Sequence, residues 1–249
     1  MGAYDLYDVN SELPSRTWNG LGDWDIMASG NWNGNAMTPA MPGGATLLTI
    51  NGPGVESINP QIRQNITLFP MSSTENRTRV VSIDTAPDEF VLITYRADLG
   101  FDSELPGAGV IIEYLDRNNG NLDDNTVNKD PNNPWVMIIE ADGDQALLRN
   151  RDSGSSGDAF QTGDYFGSDG HLIRDNRGRL VPWKISITNI EQSNASIEIT
   201  PDDEFTSRVL TPRSPIQLIE GESAYATVST ELPCTLVINT SIDLTTPEP

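Results

Sequence analysis

The chain has 249 residues, of which 36 are acidic and 15 basic, and its formal net charge at pH 7 is −21. Such a charge repels polyanions, which excludes nucleic acid and anionic membrane surfaces from the expected partners. No apolar run approaches the ~20 residues that a membrane-spanning helix needs. With 37% hydrophobic residues, 21 Gly and 17 Pro, the composition favours a loop-rich, mainly β protein.

The first 34 residues are rich in turns and aromatic side chains, and they contain two motifs. The chain begins MGAYDLYD and continues from residue 22 as GDWDIMASGNWNG. In order these segments match the second half of the extended zinc motif H-E-x-x-H-x-x-G-x-x-D, followed by a Met-containing turn. Gly2 and Asp5 fit the last two fixed positions of the motif, and Met27 lies in the turn.

From residue 45 onward the sequence predicts short β-strands that are bounded by Gly, Pro, Asn or Asp. The predicted strands are 45–50, 66–69, 79–83, 89–95, 109–115, 135–140, 184–190 and 196–200. Because no amphipathic helix separates them, we expect an antiparallel β-sandwich-like domain. Four more short strands are predicted at 208–210, 216–219, 225–229 and 235–239.

Two further motifs follow the opening ones. The strand at 89–95 ends at Arg96, and the segment GFDSELPGAGVII at 100–112 leads on to Asp116. In order and spacing, over about residues 1–200, the four motifs resemble the immune inhibitor A group of secreted bacterial and archaeal metallopeptidases. The resemblance implies a secreted zinc endopeptidase acting on protein or peptide substrates. It also implies a mainly β domain that follows a remnant of a zincin catalytic lobe.

The resemblance gives roles to four residues of the opening segment. Asp5 would be the third zinc ligand, and Met27 would form the hydrophobic floor below the metal. Gly2 and Trp24 would be structural. The chain departs from the family pattern after Gly34, where a segment rich in Pro and Gly replaces an expected short helix.

The other half of the zinc site is missing from the sequence. The chain has one His, His171, and one Cys, Cys234, whereas a catalytic zinc takes about three protein ligands and an open position for water. We therefore expect no zinc in this chain alone. The chain is then either the C-terminal part of a longer peptidase, with its H-E-x-x-H helix upstream, or a degenerate relative without the chemistry. We expect Cys234 to be a buried thiol and His171 to lie in a turn.

Two loops, one rich in Asp and Asn and one in Ser and Gly, are candidate calcium sites, and the alternative for each is a solvated polar loop. In the loop at 116–124 the Gly comes one residue too early for an EF-hand. The segment at 152–160 resembles a region of the family that is associated with calcium-stabilised loops. The candidate calcium ligands are Asp116, Asp152, Asp158 and Asp164.

The sequence divides into three predicted units. Residues 1–75 form the C-terminal remnant of the catalytic lobe, 76–203 a β-rich domain, and 204–249 extra strands or the start of a further β-domain. The expected function is that of the C-terminal portion of a secreted zinc metalloendopeptidase, inactive as this chain alone. The alternative is a non-catalytic extracellular calcium-binding β-module; a carbohydrate-binding module has weaker support, from exposed Trp residues.

Overall fold

The computed structural model describes residues 3–8, 18–73, 77–124 and 126–202. The helices are α1 (Asn33–Ala36) and α2 (Gly44–Thr49), and 3₁₀ turns occur at Gly22–Trp24, Ser29–Trp32, Gly100–Glu104 and Ser156–Asp158. The strands are β1 (Val55–Ser57), β2 (Gln64–Leu68), β3 (Val80–Ala86), β4 (Glu89–Arg96), β5 (Gly109–Asp116), β6 (Val136–Ile139), β7 (Tyr165–Gly167), β8 (His171–Leu172), β9 (Trp183–Glu191) and β10 (Asn194–Pro201).

The strands form two five-stranded sheets. The first sheet has the order β1-β3-β4-β5-β6 and the second has the order β2-β10-β9-β7-β8. The prediction of a mainly β fold is confirmed. Both sheets are mixed, however, because β1 pairs in parallel with β3 and β8 in parallel with β7. The chain crosses over between β1 and β3 by passing through β2 of the second sheet.

The first sheet is buried on both faces. Along β5 successive side chains point to opposite sides, and all eight residues of the strand are buried. On one face, Ile112 belongs to the same core as Ile197 of the second sheet. On the other face, Ile111 belongs to a second core with Trp24 and Leu47 from the N-terminal segment. The N-terminal segment therefore covers the outer face of this sheet.

The prediction of a strand at 45–50 is wrong, because this stretch forms helix α2. The N–H groups of Gly44 and Ala45 donate to the two carboxylate oxygens of Glu113 at 2.8 and 2.7 Å. The first N–H groups of a helix have no acceptor within the helix, and a carboxylate at that end is electrostatically favourable. The acceptor comes from β5, far along the chain, so local sequence does not show it.

The other strand predictions between 66 and 200 are confirmed to within a few residues, while β1, β7 and β8 were not predicted. These three strands have three residues or fewer, which is too short to give a periodic pattern. Strands β1 and β2 precede residue 75 and lie in the same two sheets as the later strands. The division at residue 75 stays a prediction, and the strands predicted after residue 203 lie outside the described residues.

Candidate functional site

The opening segment, residues 3–8, is hydrogen-bonded to the turn that contains Met27. The Leu6 N–H donates to the Met27 carbonyl at 2.7 Å. The Leu6 carbonyl accepts a bond of 2.9 Å from Nδ2 of Asn128, a buried residue. Leu6 is buried and its neighbour Asp5 is half-buried. The predicted third zinc ligand is thus next in sequence to a residue fixed against Met27.

Met27 lies in a tight turn from Asp25 to Ala28. The Ala28 N–H donates to the Asp25 carbonyl at 3.0 Å, and the Met27 N–H donates to Asp25 Oδ1 at 2.6 Å. An Asp side chain that accepts the N–H two residues further on is a common device for fixing such a turn. The half-buried Met27 side chain packs against the core that contains Leu6 and Trp24.

The donor set around Asp5 does not fit zinc. His171 lies on the short strand β8 and not in a turn as predicted, and its ring packs edge-on against Phe160 with 5.1 Å between the centroids. Gly2 and Cys234 lie outside the described residues. Among the described residues, the group of His, Cys, Asp or Glu whose ligand atoms lie close enough to hold a metal does not include Asp5. One carboxylate is not a zinc site.

A buried ion pair lies beneath this turn. Arg96, at the end of β4, is fully buried and donates to both carboxylate oxygens of Asp102, from Nε at 3.0 Å and from Nη2 at 2.8 Å. Its Nη1 donates to the Trp24 carbonyl at 2.8 Å, and Nη2 also donates to the Met41 carbonyl at 3.1 Å. The planar guanidinium thus joins the first sheet to the N-terminal segment at two places.

Asp25 and Glu113 complete this buried network. The Gly43 N–H donates to Asp25 Oδ2 at 2.7 Å. A Cβ atom on Gly43 would lie 2.5 Å from Glu113 Oε1 and 2.7 Å from Asp25 Oδ2, so the two oxygens are within 5.2 Å of each other, the sum of those distances. Burial, and then the charge of Asp25, raise the pKa of Glu113 to about 7. Burial also raises the pKa of Asp25, although its hydrogen bonds and Arg96 oppose the rise.

A second group of carboxylates comprises Glu140, Asp142 and Asp158, and one ligand oxygen from each lies within 4.8 Å of the others. Glu140 and Asp158 are buried and Asp142 is exposed. Asp158 ends a 3₁₀ turn whose cap is Ser155, and the Ser155 N–H and hydroxyl both donate to it. Two backbone bonds join the loops, because the N–H groups of residues 141 and 142 donate to the carbonyls of residues 158 and 157.

The environment of these carboxylates disfavours their ionised forms. Burial, and then a hydrogen bond with Asp144 and the charge of Asp158, raise the pKa of Glu140 to about 8, against the lowering effect of the Ala146 N–H. Burial likewise raises the pKa of Asp158, and donors that include the Trp24 indole oppose the rise. A hard cation that prefers oxygen ligands would stabilise the ionised forms here.

Comparison with protein-family models, with curated proteins and with solved structures returns no match to the chain. The family resemblance therefore rests on the residues of the four motifs. None of the helices in the described part of the chain is long and apolar enough to cross a membrane.

Of the predicted calcium ligands, the structure brings Asp158 into the carboxylate cluster and leaves the other three outside it. Asp152 acts on Asp158 through its charge, which raises the pKa of Asp158. One of its own oxygens accepts the Gly154 N–H at 3.1 Å. Asp164 is exposed and accepts the Gln161 N–H at 2.7 Å within a surface turn.

Asp116 is buried at the end of β5, and amide donors surround its carboxylate. Oδ1 accepts from the backbone N–H and from Nδ2 of Asn118, at 2.9 and 2.8 Å. Oδ2 accepts from Nδ2 of Asn119 at 3.1 Å and from Nδ2 of Asn176 at 3.0 Å. Two Asn residues that follow β5 and one from a distant turn thus satisfy a buried carboxylate with neutral donors.

Proposed function

We propose that this chain is the C-terminal portion of a secreted zinc-dependent metalloendopeptidase that hydrolyses peptide bonds in proteins, and that the chain alone is inactive. The observation that supports this most is the 2.7 Å hydrogen bond between the Leu6 N–H and the Met27 carbonyl. It joins the segment that would end the zinc motif to the Met-containing turn, and these two segments are separated in the sequence.

In this proposal the chain contributes one side of the zinc site. Asp5 is the third ligand, and Met27 packs below the metal without binding it, because a thioether is a poor zinc ligand. The two His ligands and the catalytic Glu come from a helix upstream of the present sequence. The donor set of this chain does not hold zinc by itself, so no step of peptide hydrolysis is assigned to its residues alone.

The test is to sequence the DNA upstream of Met1 for an in-frame H-E-x-x-H and to express the longer product. We expect that product to bind zinc and to cleave casein. Asp5→Ala removes a direct metal ligand. Loss of a group that only supports a ligand weakens metal binding by up to about 100-fold, so loss of the ligand itself should weaken zinc binding by at least about 100-fold. Zinc titration with a competing chelator measures the affinity.

The matched control for this test is Asp84→Ala, which removes an exposed carboxylate from β3 and should leave zinc affinity and cleavage unchanged. Full zinc binding by the Asp5→Ala protein would refute the assignment of Asp5. If no H-E-x-x-H is encoded upstream, the peptidase proposal fails and the alternative function takes its place.

The alternative function, a non-catalytic extracellular calcium-binding β-module, is favoured by the cluster of Glu140, Asp142 and Asp158. Three oxygen donors on loops that are tied together suit Ca²⁺, which accepts carboxylates in flexible geometry. Further ligands would come from backbone carbonyls and water. A calcium site of this kind is also compatible with the peptidase proposal, because it would stabilise the β-domain in either case.

Calcium at a hundred times its dissociation constant is expected to raise the melting temperature by about 5 to 10 °C, and EDTA should reverse the rise. Asp142→Asn is expected to abolish the shift without unfolding the chain, because Asp142 is exposed. Asp164→Asn, an exposed carboxylate outside the cluster, is the control and should keep the shift. Calorimetry measures both, and identical melting temperatures with calcium and with EDTA would rule out this site.

A further inference from the structure

The charges of the buried network do not balance. Among the described residues Arg96 is the cation of this network, and both oxygens of Asp102 already accept from it. Asp25 and Glu113 remain, with 1% and 2% exposure and with oxygens within 5.2 Å of each other, the sum of their distances to a Cβ on Gly43. Two carboxylates that close, away from water, do not both ionise without a large penalty.

Charged and polar groups from β4 and from helix α2 face this pair in the described part of the chain. Arg96 of β4 acts on both carboxylates, and Asp102 is bound to Arg96 in turn. Burial by itself would lower the pKa of Arg96, but Asp102 and then the pair raise it overall, so the guanidinium stays charged. Helix α2 presents N–H groups and the Thr46 hydroxyl, which is 2.9 Å from Asp25 Oδ2.

We propose that Asp25 and Glu113 share one proton and together form a pH-sensitive latch between the N-terminal segment and the first sheet. With the proton bound, the segment at 22–46 stays fastened to β5. When the proton is lost to water, the two carboxylates repel each other and the segment loosens. The proposal rests on the fold and does not depend on the peptidase function.

The latch acts on this segment because its two halves lie on different elements. Asp25 belongs to the turn that contains Met27, and Glu113 belongs to β5. Gly43 lies between them, and its N–H binds Asp25 while the next N–H, of Gly44, binds Glu113. Repulsion between the carboxylates therefore separates the turn from the sheet at the start of helix α2.

The direction of the pH effect follows from the higher proton affinity of the folded state. The pKa of Glu113 is about 7 in the folded chain against 4.5 for an ordinary Glu. The folded state thus holds a proton that the unfolded state has lost, so stability is fully present below pH 4.5 and falls as the pH rises to about 7. The unfolding equilibrium constant should rise by more than about tenfold between pH 5 and pH 8.

Urea denaturation from pH 5 to pH 8 at constant ionic strength tests the latch. Glu140, whose pKa is also raised to about 8, adds to the same change of stability with pH. The test is therefore the difference in pH dependence between each variant and the unsubstituted chain. Glu113→Gln removes the carboxyl whose pKa burial raises and should lose most of the tenfold change, whereas Asp25→Asn removes only the second cause of that rise and should lose part of it. Glu198→Gln, which breaks the exposed pair with Arg63, is the control and should keep it. Unaltered pH dependence in both pair variants would overturn the proposal.

A second measurement needs no variant and covers the case in which the substitutions prevent folding. The amide resonances of Gly43, Gly44 and Ala45 report on the carboxylates that they bind. In the unsubstituted chain we expect them to titrate with an apparent midpoint near 7, and their normalised hydrogen-exchange protection to fall above it. Resonances that stay constant between pH 5 and pH 8 would show that the pair holds no shared proton.

Discussion

Replacing Arg96 with Met is expected to lower the free energy of unfolding by about 3–5 kcal/mol at pH 7, the cost of removing one partner of a buried ion pair. Arg96 is fully buried and binds Asp102 through two bonds of 3.0 and 2.8 Å. Met fills similar space, so the loss comes mainly from the Asp102 charge left without a cation. The carbonyls of Trp24 and Met41 also lose their donor. Urea denaturation followed by far-UV circular dichroism measures the loss.

Two comparisons separate this effect from a general loss of packing. Adding Asp102→Asn to Arg96→Met removes the unpaired charge while an oxygen remains for the Met41 N–H, and it should recover at least about 1 kcal/mol. Arg63→Met breaks an exposed pair with Glu198 and should cost less than about 1 kcal/mol. A loss for Arg96→Met no greater than that for Arg63→Met would contradict the central role of the buried pair.

The strands were predictable because their pattern is local. Along β9 and β10 buried residues alternate with more exposed ones, and this period of two is visible in the sequence itself. Strands buried on both faces were found as well, because β4 and β5 are rich in Val, Ile, Leu and Tyr. Helix α2 was missed because its sequence, GATLLT, is equally apolar. Its first N–H groups donate to Glu113, which belongs to another element and is not visible in the local sequence.

The candidate site residues, too, were predictable only where the local sequence indicates them. Asp158 was predicted from its loop sequence, but its neighbours Glu140 and Asp142 were not, because they come from a different loop. The run Glu140-Ala141-Asp142-Gly143-Asp144, with alternate carboxylates after a strand, was the signal available for them. It is weak, since such runs usually form solvated turns.

The structure explains why a strand-ending Arg is followed by the G-F-D segment. Arg96 at the end of the strand and Asp102 in that segment form the buried bidentate pair. The sequence shows that the two residues are six positions apart. It did not show that Asp25 and Glu113 would lie beside them, because those residues come from a turn and a strand that meet only in the folded chain.

Replacing Trp24 with Ala is expected to lower the free energy of unfolding by about 3–5 kcal/mol, whereas the same change at Trp32 should stay within about 0.5 kcal/mol. The two residues lie in the same turn-rich segment of the sequence. In the structure Trp24 is 1% exposed and Trp32 is 71% exposed. Trp24→Ala leaves a cavity in the core that covers the outer face of the first sheet, while Trp32→Ala removes a ring from solvent.

Trp24→Phe separates the contribution of the ring from that of its N–H group. The indole Nε1 donates to Asp158 Oδ2 at 2.7 Å, in a buried setting. Phe keeps most of the apolar contact but leaves that oxygen with one donor fewer, which should cost about 1–3 kcal/mol.

Because the indole bond lowers the pKa of Asp158 against the effect of burial, its removal should raise that pKa further. The loss should then be larger at pH 7 than at pH 5, where Asp158 is more protonated. Urea denaturation monitored by circular dichroism measures both losses of stability. Equal losses for Trp24→Phe and Trp32→Phe would show that the bond to Asp158 contributes nothing to the stability of the fold.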